Sequence, residues 1–122
     1  MKDGLRFEKE VSDALELDLE GTSSILWYNP VLKTGRPDIL GITPDRCFII
    51  EAKRTYTEKA WEQLERYQKG FSFPKKSVPP ILIQACKFLV PGIKWKIVDS
   101  SREALTVEDK VVWFFPSYLF GR

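Results

Sequence analysis

Between Pro37 and Lys53, two short apolar runs, Pro37–Ile42 and Cys47–Lys53, flank the four residues Thr43-Pro-Asp-Arg46. A Pro-Asp turn between such runs signals a β-hairpin, and it constrains the fold more than any other segment of the chain. With 43–46 as the turn, Ile42 faces Cys47, and Asp38 then falls directly opposite Glu51. Side chains alternate between the two faces of a strand. One face therefore carries Asp38, Leu40 and Ile42 beside Cys47, Ile49, Glu51 and Lys53; the other carries Ile39, Phe48, Ile50 and Ala52 and is wholly apolar. Opposed like charges destabilise a sheet, and desolvation sharpens the repulsion. A divalent cation relieves both, and an all-oxygen donor set favours Mg²⁺ or Mn²⁺ over zinc. Lys53 projects on the same side, placed to orient a water or neutralise a phosphate.

The 122 residues contain no histidine. This excludes Ser-His-Asp and Cys-His catalysis, histidine-ligated zinc and a histidine general base. Hydrolysis by this chain must use carboxylates, lysine, backbone groups and a hard metal. Cys47 and Cys86 have no paired spacing, so they read as buried thiols of a reduced, intracellular (cytoplasmic) protein. The N-terminus lacks the apolar run of a signal peptide, and no stretch reaches the roughly 20 apolar residues of a membrane span. Net charge is +2 but uneven: residues 1–52 carry six basic and ten acidic side chains, residues 53–122 thirteen and seven. Six lysines and no acid between Lys69 and Lys96 suit a polyanionic partner.

The spacing predicts a first helix from Asp3 to Leu19, with Phe7, Val11, Ala14 and Leu15 on one stripe. Ile25–Tyr28 reads as a strand closed by Asn29-Pro30, and 33–36 as a loop. After the hairpin, Thr55 or Thr57 caps a second helix from Glu58 to about Phe71, whose inner face is Ala60, Trp61, Leu64, Tyr67 and Phe71. Ile81–Ala85 and Trp95–Val98 read as strands, and Val111–Phe115 as a last edge strand. The order αβββαβ with later additions describes a mixed α/β (α+β) domain, helices flanking a small sheet, spanning 1–122 as one unit.

Gly35-Arg-Pro-Asp38 followed by Cys47-Phe-Ile-Ile-Glu51-Ala-Lys53 resembles the PD-(D/E)xK nuclease superfamily. The resemblance runs from about Gly4 to Phe71, and more loosely through 81–85. It implies a restriction-endonuclease-like core and Mg²⁺-dependent phosphodiester cleavage, with Mn²⁺ as a substitute. It further implies that Asp38 and Glu51 are metal ligands, that the Ala52 carbonyl completes the coordination, and that Lys53 positions or activates water. Phe7-Glu8 is similar to the aromatic-Glu placement of archaeal Holliday-junction resolvases, which makes Glu8 a further ligand. Residues 60–67 are similar to the glutamine motif of several members, which gives Gln63 a place at the catalytic site; Tyr67 reads as core.

Lys33, Arg36, Arg54 and Lys59 are placed to hold a nucleic-acid backbone. The leading expectation is a Mg²⁺-dependent DNA endonuclease, acting as a homodimer with no membrane partner and no small-molecule cofactor beyond the metal. A Holliday-junction resolvase is the narrower alternative, weakened because Asn29-Pro-Val-Leu-Lys-Thr34 stands where the resolvases have a Gly-Ser element. Two others are a non-catalytic nucleic-acid-binding module of the same fold and a structural subunit packed on a partner through its aromatic tail, 113–120.

Overall fold

The computed structural model describes residues 3–70, 79–88, 104–107 and 110–114. They form α1 (Asp3–Asp18), β1 (Ile25–Tyr28), β2 (Ile39–Ile42), β3 (Cys47–Thr55), α2 (Lys59–Lys69), β4 (Ile81–Phe88), β5 (Ala104–Val107) and β6 (Lys110–Phe114). The strands make one six-stranded sheet in the order β1-β2-β3-β4-β6-β5. β1, β2 and β3 pair antiparallel, as short connections allow. β3 and β4 pair parallel, with α2 as the crossover helix that a parallel pair requires, and β4 and β6 are also parallel.

The hairpin register is the expected one, with Ile42 against Cys47 and Ile39 against Ile50. The two faces separate as alternation requires. Phe7, Val11 and Leu15 of α1 pack on Ile39, Phe48, Ile50 and Ala85. Trp61, Leu64 and Tyr67 of α2 pack on Leu40, Cys47, Ile49, Leu82, Cys86 and Val112. β3 lies between the two helices, so Cys47 to Ile50 is apolar on both faces, as a doubly covered strand must be. The join between β3 and α2 is fixed by Gln84. Its side chain is fully buried, accepts the Thr57 N–H at 2.9 Å and donates to the Thr57 carbonyl at 3.0 Å.

Element limits shift by a few residues, with α1 ending at Asp18, β2 starting at Ile39, β3 running to Thr55 and β4 to Phe88, and three further differences from expectation are informative. α2 starts at Lys59 behind Glu58, whose side chain makes no capping bond; Thr57 rather than Thr55 helps the first turn, its hydroxyl accepting the Lys59 N–H at 3.3 Å. α2 also ends at Lys69, before Gly70, because a glycine exacts a large entropy cost within a helix. β6 is an internal strand and not an edge: β5, a short run without a strong pattern of its own, pairs outside it. Trp95–Val98, most of the lysines between 69 and 96, Phe71 and the tail beyond Phe114 lie outside the described residues.

Gly41 shows how tightly the α1 face is packed. It pairs with Phe48, and a Cβ at Gly41 would lie 2.1 Å from Phe48 Cζ. Overpacking of this kind costs about 1–3 kcal/mol. Gly41→Ala is expected to lose that much in urea denaturation with an unchanged m-value, and Phe48→Leu in the same chain to restore part of it.

Candidate active site

The site forms where β2 begins and β3 runs past it. Pro37 is fully buried and delivers Asp38 to the start of β2. There the two acidic side chains clasp the opposite strand's main chain. Ala52 N–H donates to Asp38 Oδ2 at 2.8 Å, and Asp38 N–H donates to Glu51 Oε1 at 3.2 Å. Lys53 Nζ stands 3.5 Å from Glu51 Oε2 and keeps about a third of its side chain exposed. Glu51 is only 4% exposed, in keeping with its apolar approach through Phe48-Ile-Ile50.

Burial sets the electrostatics. Desolvation pushes Asp38 up to about 6, with Glu8 adding to the rise, while the Ala52 N–H and Lys53 work against it. Desolvation and the charge of Asp38 push Glu51 up to about 7, opposed by Lys53 and the Asp38 N–H. Both carboxyls are thus driven toward protonation by burial and by neighbouring negative charge, and a cation between them reverses both effects. The donors are hard oxygens, which fit a Mg²⁺-like ion.

The other anticipated residues fall around this pair. Glu8, half-buried on α1, accepts a hydrogen bond from Asn29 Nδ2 at 3.1 Å, and its charge is felt at Asp38. It stands off from the pair: among the described residues no three His, Cys, Asp or Glu side chains are gathered closely enough to hold a metal. Gln63 is half-buried on α2, which packs on the sheet face that carries Asp38 and Glu51. Lys33, Arg36, Arg54 and Lys59 are exposed. Arg36 Nε donates to the Asn29 carbonyl at 3.0 Å, and the Arg54 guanidinium lies 5.7 Å from the centre of the Phe88 ring.

Two residues have more to do with the site than the sequence suggests. Tyr67 belongs to the core, as its spacing indicates, but its hydroxyl also faces the carboxylates. Burial is the main cause that raises its pKa, followed by the charges of Glu51 and Asp38. Its ring is seated on Gly35, where φ is +138° and a Cβ would come within 2.5 Å of the ring. The other is Asn29, which reads as a strand terminator and touches both Glu8 and the Asp38 main chain.

A helix-flanked mixed sheet with Pro37-Asp38 opposite Glu51-Ala-Lys53 is the arrangement of the PD-(D/E)xK nucleases, hydrolases acting on phosphodiester bonds. Within that class the chain belongs to the nuclease-related domain family, whose model matches residues 3–87. Its fold is similar to that in the crystal structure of a repair endonuclease from Pyrococcus abyssi, with a TM-score of 0.56 and 18% identity over 75% of this chain. The match covers 41% of the Pyrococcus protein, so this chain corresponds to less than half of that molecule. No curated protein sequence matches the chain. Among the described residues no helix is long and apolar enough to cross a membrane.

The raised carboxyls make stability depend on pH in a defined direction. Unfolded, the two titrate near 3.8 and 4.5; folded, they hold their protons to about 6 and 7. The native state binds more protons between those values, so stability of the metal-free protein falls as pH rises from about 4 to about 7. Urea midpoints across this range are expected to show that decline, and Glu51→Gln to flatten it.

Proposed function

We propose that the chain is a divalent-metal-dependent DNA endonuclease, with Mg²⁺ as the working ion and Mn²⁺ able to replace it. The observation that carries this reading is the Asp38–Glu51 clasp with Lys53 beside it, two like charges held together at a half-buried strand end. In this reading the Asp38 and Glu51 carboxylates and the Ala52 carbonyl would hold the ion, and Glu8, standing off from the pair on α1, would complete the metal site from outside it, through a water on the ion. A divalent ion in such a site polarises the scissile phosphate and lowers the pKa of bound water.

The protein's own groups do the rest. Lys53 Nζ, a compact and mobile point charge, aligns the attacking water and offsets charge that develops on the phosphate oxygens. Gln63 supports the water or the Lys53 amine from the α2 side. Lys33, Arg36, Arg54 and Lys59 hold the backbone of the substrate, contacts that position it without reading its sequence. DNA as the substrate is supported by the family and by the likeness in fold to the Pyrococcus repair endonuclease. A homodimer is part of the same reading, supported by Ile25 and Trp27, exposed on the edge strand β1. The intact Asp38, Glu51 and Lys53 set favours an enzyme over a non-catalytic binding module.

The test is cleavage of supercoiled, linear, single-stranded and four-way-junction DNA with Mg²⁺, Mn²⁺ or EDTA. Cutting is expected only with metal, and Asp38→Ala, Glu51→Ala and Lys53→Met are each expected to lose at least about 100-fold in rate, the scale of a positioned catalytic group, while still binding DNA. Full activity in Glu51→Ala or in EDTA would sink the mechanism; a marked preference for the four-way junction would favour the resolvase.

A further inference from the structure

The geometry assigns to Asn29 the role of a positioning residue that fixes Glu8 relative to the Asp38 end of β2; this inference rests on the nuclease reading above. Asn29 joins three parts of the site at once. Its side-chain amide donates to Glu8 Oε1 at 3.1 Å. Its main-chain N–H donates to the Asp38 carbonyl at 2.9 Å. Its carbonyl accepts from Arg36 Nε at 3.0 Å. The residue therefore ties together a carboxylate on α1, the strand that bears the first ligand, and a cationic side chain on the loop between β1 and β2.

The backbone conformation makes this possible. Asn29 has φ of +51°, the only non-glycine residue with positive φ among those described. Asparagine tolerates that left-handed conformation better than most residues. The turn there sends the main-chain N–H toward β2 and the side-chain amide toward α1. α1 and the Asp38–Glu51 clasp lie on opposite faces of the sheet, so Glu8 can reach the pair only around the strand end, where Asn29 sits. The charge of Glu8 already registers at Asp38. An amide that orients a carboxylate serving the metal acts as an outer-shell partner, and losing such a partner typically costs roughly 10–100-fold in metal affinity or activity.

Asn29→Gly isolates the side-chain contact, because glycine adopts positive φ freely and keeps both main-chain bonds. Mn²⁺ binding is measured by electron paramagnetic resonance on the DNA-free protein, and cleavage separately. Asn29→Gly is expected to weaken Mn²⁺ binding by roughly 10–100-fold with an unchanged thermal midpoint. Asn29→Asp, similar in size but presenting an oxygen to Glu8, is expected to lose at least as much. In a Glu8→Ala background, Asn29→Gly should cost nothing further. Wild-type Mn²⁺ binding in Asn29→Gly or Asn29→Asp, or losses from Glu8→Ala and Asn29→Gly that multiply, would overturn the role. If Asn29→Gly proves unstable, the Asn29→Asp measurement decides alone. A wild-type protein that neither binds Mn²⁺ nor cuts overturns the nuclease reading and this role with it, an outcome distinct from an active wild type matched by its Asn29 variants.

Discussion

Everything at the site depends on the register of β2 against β3. A slip of one residue would carry every side chain of one strand to the opposite face. Asp38 would then part from Glu51 and enter the α1 interface, and Ile39 would leave it. The register is held by the residues around the acids. Ile39, Ile49 and Ile50 are wholly buried on two faces under two different helices, and burying each such side chain stabilises the fold by about 1.5–3 kcal/mol. A slip sacrifices several of these contacts together. The apolar hairpin is thus what keeps two acids side by side, against their own repulsion, in a place they would not otherwise occupy.

That repulsion explains the surrounding groups. Two main-chain N–H groups, from Asp38 and Ala52, and the Lys53 ammonium all act to lower the carboxyl pKa values. They do not win, because burial outweighs them at both residues. A positive charge added beside such a pair favours the ionised forms that burial disfavours. The two helices take opposite faces: α2 carries Tyr67 toward the carboxylates, and α1 carries Glu8, whose charge is felt at Asp38.

The parts legible in the sequence are those with a strict period. The hairpin register, the opposition of Asp38 and Glu51, the stripe Phe7, Val11 and Leu15 and the inner face of α2 all follow from alternation or helical spacing, and the structure places them accordingly. Glu8, by contrast, is picked out by the resemblance of Phe7-Glu8 and not by any period. What the sequence does not disclose arises from contacts without a period. β5 is too short to announce itself and exists because β6 offers it an edge. Tyr67 looks like core because it is core; that its hydroxyl also faces the carboxylates depends on the approach of Gly35. Asn29 reads as a stop after a strand, and only the fold shows that α1 passes within reach of its amide. Spacing leaves two threonines for the cap of α2, and the choice between them turns on where Gln84 pins the chain.

Gln84 has a consequence for motion. Its amide holds the main chain of Thr57 where α2 begins; Gln68 Nε2 donates to the Pro80 carbonyl near the helix's other end, at the approach to β4. The helix is stapled to the β4 segment at both termini by side-chain amides, in addition to its apolar seam. It therefore cannot fray away from the sheet one turn at a time without abandoning a buried polar group, which is costly. α2, β3 and β4 should open as one cooperative unit, with amide protons that exchange together and slowly. α2 is thereby a fixed wall against the sheet face that carries Asp38 and Glu51, held by polar bonds at its ends as well as by the apolar seam along its length.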